Sequence, residues 1–255
     1  MTKGNVQDLC AGARVLILGG TSLARALATL LGREGYAVTT SLAGRTRDPL
    51  LPDGAVRIGG FGGARGLADY LVAHRVDVLV DATHPFAARM SANAHEAARA
   101  TGTPVARLAP APWPVDPDWM MVPDMASAAR SLPPGARVLL TIGRQEIGAF
   151  VARTDCSFVA RMIEQPEMPL PGWTLVLGRG PFATDTEQAL AEAHAITHLV
   201  TKNAGGPWPA KLEMARAQRL AVIVVQRPQL PDVETVGTPQ ALLEWLAGLA
   251  PYSRK

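Results

Sequence analysis

An α/β fold made of two parallel-sheet units is predicted by three features of the chain. Short apolar runs alternate with Ala/Leu-rich helical patterns, several runs stop at glycine turns, and one proline-dense stretch falls near the middle. The runs are rich in Val, Ile and Leu with little polar alternation, as in strands covered on both faces.

The first run organises the rest. Arg14-Val15-Leu16-Ile17-Leu18 reads as a buried strand, Gly19-Gly20-Thr21 as a tight turn, and Ser22-Leu23-Ala24 as the opening of a helix that runs to about residue 31. A helix start of this kind presents unpaired backbone N–H groups and the positive end of the helix dipole, which together hold a phosphate without a charged side chain. The dinucleotide fingerprint G-x-G-x-x-G/A is met in part: Gly19 and Ala24 take its first and third places and Thr21 its second. Alone, such a turn is a simple connection as readily as a phosphate site. The second strand, residues 37–41, ends where dinucleotide folds place a carboxylate for the ribose 2′-OH. Here the chain offers Ser41, Arg45 and Arg47 instead, a hydroxyl and two guanidiniums that suit a 2′-phosphate and favour NADPH over NADH.

Composition narrows the function classes. The 255 residues are 48% hydrophobic, enough for a packed core, and 25 basic against 22 acidic side chains give a net charge of +3. That excess suits small anionic ligands but is too small and dispersed for nucleic acid. Cys10 and Cys156 show no Cys-x-x-Cys spacing and no histidine cluster, so neither a disulfide framework nor a metal site is expected. No apolar run approaches membrane-spanning length, and a soluble cytoplasmic protein is expected.

In order along the chain, a short third strand at 55–58 enters Gly59-Gly60-Phe61-Gly62-Gly63, which reads as a flexible connection or as a loop able to lie close to a ligand. A helix over 64–74 follows, then a strand at 77–81 running into Ala82-Thr83-His84-Pro85-Phe86, a helix to about 100, and a strand at 104–108. Ligands of parallel sheets sit beyond the carboxyl ends of the strands, so the Gly19 turn and the His84 turn face one crevice. Prolines crowd residues 109–118, and a domain boundary is placed there, with an NADP-binding domain at 1–115 and a substrate-binding domain at 116–255. Beyond it are expected a helix at 125–131, a strand at 137–142, a helix after Gly143-Arg144, strands at 158–163 and 174–177, and a helix opened by the capping-box spacing of Thr184 and Glu187. A strand at 197–201, the loop Lys202-Asn203-Ala204-Gly205-Gly206, a helix at 210–218, a strand at 221–225 and a helix at 240–249 complete the alternation. Two successive α/β units imply a cleft between them.

His84 is the only histidine at a strand tip, where ligand contact, proton chemistry and a loop-fixing hydrogen bond are all open. Asp81 could orient it or accept backbone N–H groups of the turn. Lys202 stands beside Asn203 and two glycines at another tip, as a nicotinamide or carboxylate contact or as a solvated lysine. Arg144, Lys211 and Arg227 are surface charges singly, but collectively they could form a basic wall for a polycarboxylate. The chain lacks Tyr-x-x-x-Lys, Gly-x-Ser-x-Gly and Gly-x-x-x-x-Gly-Lys, which disfavours short-chain dehydrogenase, lipase-like and triphosphatase chemistry.

Taken together and in order, Leu16-Ile17-Leu18-Gly19-Gly20-Thr21, Asp81-Ala82-Thr83-His84-Pro85-Phe86-Ala87, Lys202-Asn203-Ala204-Gly205-Gly206 and Arg227-Pro228 resemble the precorrin-6A reductases of cobalamin biosynthesis. The resemblance covers nearly the whole chain, and the Asp81 to Ala87 motif is its most specific part. It implies two Rossmann-like halves with NADPH and substrate in the cleft and hydride delivery to a conjugated macrocycle carrying several carboxylates. Cofactor contacts are then expected from Gly19, Gly20, Thr21, Ser22, Leu23, Ser41, Arg45, Thr83, His84, Pro85, Asn203 and Gly205. Substrate contacts are expected from Arg144, Lys202, Lys211 and Arg227, and catalytic roles from His84, Lys202 and Asp81. Rival readings are a cobalt-precorrin-6A reductase and a non-catalytic NADP-binding sensor. Expected partners are the small-molecule substrate and other enzymes of the same pathway, with no nucleic acid and no membrane.

Overall fold

The computed structural model describes residues 12–44 and 49–249. Described residues up to Ala111 and from Gln229 onward form one unit, and Pro112–Pro228 form another. With elements numbered in chain order, the first unit holds β1 (Arg14–Leu18), α1 (Ser22–Arg33), β2 (Ala37–Leu42), β3 (Ala55–Ile58), α2 (Ala64–Ala73), β4 (Val78–Asp81), α3 (Ala88–Thr101) and β5 (Val105–Leu108), and from the far end of the chain β12 (Glu234–Val236) and α7 (Pro239–Gly248). The second holds β6 (Met120–Val122), α4 (Met125–Arg130), β7 (Arg137–Thr141), a 3-10 turn (Ile147–Phe150), β8 (Ser157–Met162), β9 (Thr174–Leu177), α5 (Thr184–Ala193), β10 (His198–Lys202), α6 (Ala210–Ala217) and β11 (Ala221–Val225).

Each unit is a six-stranded parallel sheet, ordered β12-β5-β4-β1-β2-β3 in the first and β6-β11-β10-β7-β8-β9 in the second. Alternation along β1 feeds both faces of the first sheet. Val15 and Ile17 pack with Leu27 and Leu31 of α1 and Leu242 and Leu246 of α7, while Leu16 and Leu18 pack with Leu67 and Leu71 of α2 and Ala94 and Ala98 of α3. In the second sheet, Leu139, Val159, Leu199 and Val222 share a core with Leu212 of α6 and Ala191 of α5. Among the described residues, no helix is long and apolar enough to cross a membrane.

Strand order reverses at β1/β4 in the first sheet and at β7/β10 in the second. The loops leaving those strands are therefore the Gly19 and His84 turns in one unit and the Gly143 and Lys202 turns in the other, at the topological positions where open parallel sheets bind ligands.

The structure differs from the sequence expectation at three places. The division at 115/116 assigned everything after it to the second domain, but β12 pairs with β5 (Glu234↔Ala106) and α7 buries Leu242 and Leu246 against α1. The free edge beside β11 is filled instead by β6 (Ile223↔Met120), so the chain crosses between units twice. Thr184 and Glu187 do not form a capping box: Ala183 is the N-cap, no side chain caps α5, and Glu187 turns inward to Arg161. After Gly143-Arg144 only the 3-10 turn forms.

Candidate active site

In the first unit, Gly19 donates its amide to the Ser41 carbonyl at 2.9 Å, which zips the turn onto the end of β2. A Cβ on Gly19 would lie 2.6 Å from Thr40 Cγ2, so this glycine is required for strand contact. Gly20 is different: its φ of +112° is one that L side chains rarely adopt, and a Cβ there would meet nothing within 4 Å. Open space thus lies directly over the turn. Thr21 caps α1, its Oγ1 accepting from the Ala24 amide at 3.1 Å and donating to the Ala82 carbonyl at 2.9 Å. Its hydroxyl is thereby committed to the protein and ties the β1 turn to the β4 turn. The helix start leaves the Ser22 and Leu23 amides, which helix geometry provides with no intrahelical partner, as the donors for an anion.

Asp81 ends β4 beside Leu18, almost wholly buried at 3% exposure. Its Oδ1 accepts from the Thr83 hydroxyl (2.6 Å) and the Thr83 amide (3.2 Å), and its Oδ2 pairs with Arg107 Nε at 3.5 Å. Asp81 therefore shapes the turn instead of orienting His84, and the Thr83 hydroxyl is equally committed. Arg107 extends the scaffold by donating to the Pro231 carbonyl at 3.1 Å. The exposed His84 ring accepts the Phe86 amide on Nδ1 at 3.2 Å, which in the neutral ring puts its proton on Nε2. Pro85 is buried beneath this turn. Gly19, Gly20, Thr21, Ser22, Leu23, Thr83, His84 and Pro85 are accordingly brought together on two linked strand tips. Ser41 lies next to them on β2, whereas Arg45 falls outside the described residues.

A residue that sequence reasoning passed over stands at the same end of the sheet. Arg57 of β3 lies opposite Ser41 in register. Its guanidinium donates to Ser41 Oγ (3.2 Å), the Gly59 carbonyl (2.5 Å) and the Gly60 carbonyl (2.7 Å), and its Cζ sits 3.8 Å from the centre of the Phe61 ring. The glycine loop is thus wrapped around an arginine. The sequence signal was a charge inside an edge strand, with one residue between it and Gly59-Gly60-Phe61.

In the second unit every cation singled out from sequence has an internal partner. Arg144 pairs with Glu164 at 3.2 Å, and Lys202 pairs with Glu146. Arg227 donates to the Asn203 and Ala204 carbonyls at 2.9 and 2.8 Å, and burial lowers its pKa. The Asn203 amide group is occupied by the Trp113 backbone, accepting from its N–H at 2.8 Å and donating to its carbonyl at 3.2 Å. Asn203 is therefore a clasp on the linker, a correction to its reading as a side-chain cofactor contact. Gly205 has a φ of +74° and turns the loop.

Lys211, at the start of α6, borders a cavity of about 780 Å³ together with Thr141, Gly143, Arg161, Glu187 and Trp208. Its Nζ donates to Thr141 Oγ1 at 3.1 Å and lies 5.6 Å from the Trp113 ring centre. Burial pulls its pKa from 10.5 to about 7; Arg161 and Lys202 push the same way and Glu187 opposes them. Arg161 and Glu187 form a 2.7 Å pair with side-chain exposures of 8% and 2%. Sequence reasoning missed this pair, although an arginine inside the apolar run of β8 requires a buried partner.

The family model described as Precorrin-6x reductase CbiJ/CobK matches residues 14–247. A precorrin-6A reductase of Rhodococcus erythropolis is 48% identical over 243 residues, 92% of this chain and 98% of that protein. The solved structure of a CobK precorrin-6A reductase superposes with a TM-score of 0.87 at 41% identity, covering 95% of this chain and 100% of that one. A cobalt-precorrin-6A reductase of Priestia megaterium is 29% identical over 232 residues, 85% of this chain and 91% of that protein. With its two parallel sheets and linked strand-tip turns, the chain belongs to the precorrin-6x reductase CbiJ/CobK family of oxidoreductases.

Proposed function

We propose that this chain reduces precorrin-6A to precorrin-6B with NADPH as hydride donor. The observation that carries the reading is the pair of linked turns at the β1/β4 switch point, with open space over Gly20 beside the first amides of α1. That space and those donors fit a pyrophosphate. When bound, NADPH supplies a hydride to a double bond of the macrocycle. The Ser22 and Leu23 amides hold the diphosphate, and the Asp81–Thr83 hydrogen bonds fix the neighbouring turn. His84, at the tip of the neighbouring turn, positions the reactants or supplies the proton that follows the hydride. Arg144, Lys202 and Arg227, with Lys211 when it is protonated, meet the macrocycle's carboxylates. The metal-free substrate is favoured by the higher identity to relatives bearing that name, 48% against 29%.

The test is NADPH oxidation with precorrin-6A and with its cobalt form, followed by loss of reduced-nicotinamide absorbance. Turnover of the metal-free substrate is expected, with NADPH preferred to NADH. Binding of NADPH without turnover of either substrate would leave a sensor, and turnover of the cobalt form alone would move the chain to the other branch. His84→Ala is expected to lower turnover without abolishing it; complete loss with NADPH affinity intact would make His84 the acid.

A further inference from the structure

We propose that Arg57 is the fixed cation that receives the adenosine 2′-phosphate and sets the preference for NADPH. The inference rests on the reading of the first unit as the NADPH-binding half, and it starts from a charge whose hydrogen-bond partners are all neutral. Arg57 makes its three hydrogen bonds to a hydroxyl and two carbonyls, all neutral, and no carboxylate among the described residues pairs with it. A guanidinium has five N–H donors, so two remain for a ligand. Phe61 covers one face of the group, and Tyr70 stands 5.4 Å from it, which restricts its rotamers. An ordered cation that has no acidic partner among the described residues is suited to an anion supplied from outside.

Its location specifies which anion. Arg57 touches the hydroxyl of Ser41, and the Ser41 carbonyl accepts the amide of Gly19, so one chain of hydrogen bonds joins the guanidinium to the phosphate turn. The carboxylate that would accept a ribose 2′-OH belongs at the end of β2, and this chain has Ser41 and Leu42 there. β3 lies two strand spacings from β1, about 10 Å, which an adenosine held by its diphosphate at the Gly19–Gly20 turn can bridge with a 2′-phosphate. The glycine loop acquires a purpose in this arrangement. Gly59 has a φ of +118°, and this backbone brings two successive carbonyls onto Arg57 and Phe61 beneath it.

Titration calorimetry with NADPH, NADH, adenosine 2′,5′-bisphosphate and adenosine 5′-monophosphate tests the assignment on the full chain. Arg57→Ala is expected to weaken NADPH and the bisphosphate by roughly 10- to 100-fold, the range for one charge-assisted contact, and to leave NADH and the monophosphate nearly unchanged. Arg57→Lys, which keeps a charge but loses the fork, should fall between. Should Arg57→Ala fail to fold, Arg57→Gln retains donors for the loop carbonyls and must show the same selective loss. Equal losses for phosphorylated and unphosphorylated ligands would make Arg57 a loop pin and overturn the proposal, as would an NADPH preference that survives both substitutions. The two readings fail separately. Selective binding of the bisphosphate without reduction of precorrin-6A would sink the reductase function and leave the Arg57 assignment standing. Reduction with an unaltered NADPH preference in the variants would do the reverse.

Discussion

Replacing Lys211 with Met should remove a specific pH dependence from the stability of the second unit. The folded pKa of about 7 lies below the ordinary 10.5, so between those values the unfolded chain binds more protons than the folded one, and stability rises with pH across that window. Well below pH 7 both states carry the proton and the slope disappears. From pH 7 to pH 9 the proton difference grows from about one half to nearly one, which sets a ceiling of about 2.3 kcal/mol. Lys211 is only half-buried by surface area, so screening by solvent reduces the expected rise to about 1–2 kcal/mol. The groups around it are the Thr141 hydroxyl, the Trp113 ring and the charges of Arg161, Glu187 and Lys202. Other titrating groups, including the Cys156 thiol that burial pushes up, are common to both proteins and cancel in the difference. Urea unfolding followed by tryptophan emission is the assay, since four of the five tryptophans, Trp113, Trp119, Trp173 and Trp208, lie in the second unit. The wild-type midpoint should climb by roughly 0.5–1 M relative to Lys211→Met over that range. Parallel midpoints in the two proteins would refute the reasoning and place the Lys211 ammonium in contact with water.

Gly19→Ala should cost about 1–3 kcal/mol by driving its Cβ against Thr40 Cγ2, and adding Thr40→Ser, which deletes that methyl, should restore most of the loss in thermal melts. Thr21→Val keeps the shape but removes both hydrogen bonds of the hydroxyl, and about 1–2 kcal/mol of stability should go with them; NADPH affinity measured in parallel should also fall, because the start of α1 loosens. Glu187→Gln should destabilise by up to about 3–5 kcal/mol in chemical denaturation, since it leaves the Arg161 charge buried without its counterion. The double replacement Arg161→Met with Glu187→Leu should cost less than that single change.

The first sheet was legible because each of its central strands is a local signal. Apolar runs at β1, β4 and β5 end at turn residues, and covering both faces of a sheet demands such runs whatever the rest of the chain does. The glycine turn after β1 was equally local, since the open φ of Gly20 and the cap at Thr21 are properties of consecutive residues. Of the four edge strands, β3 and β9 were legible in the same way, but β6 and β12 were not. β6 and β12 are three residues each, too short for a period to show, and nothing in them says which sheet edge they join. That choice is made by α7, whose Leu242 and Leu246 find their apolar partners on α1 and carry β12 to β5.

The chemistry of the charged residues divides along the same line. Sequence alone determined that this chain has two parallel-sheet units, a glycine turn at the end of β1, and no carboxylate at the end of β2. Only the tertiary structure decided what each polar side chain does, because ion pairs and hydrogen bonds join residues far apart in the chain. Asp81 went to Thr83 and Arg107, Asn203 to the linker at Trp113, and Glu187 to Arg161 across 26 positions. Among the described residues Arg57 was left with neutral partners by the register that sets β3 against β2, a relation between strands that no single stretch of sequence contains.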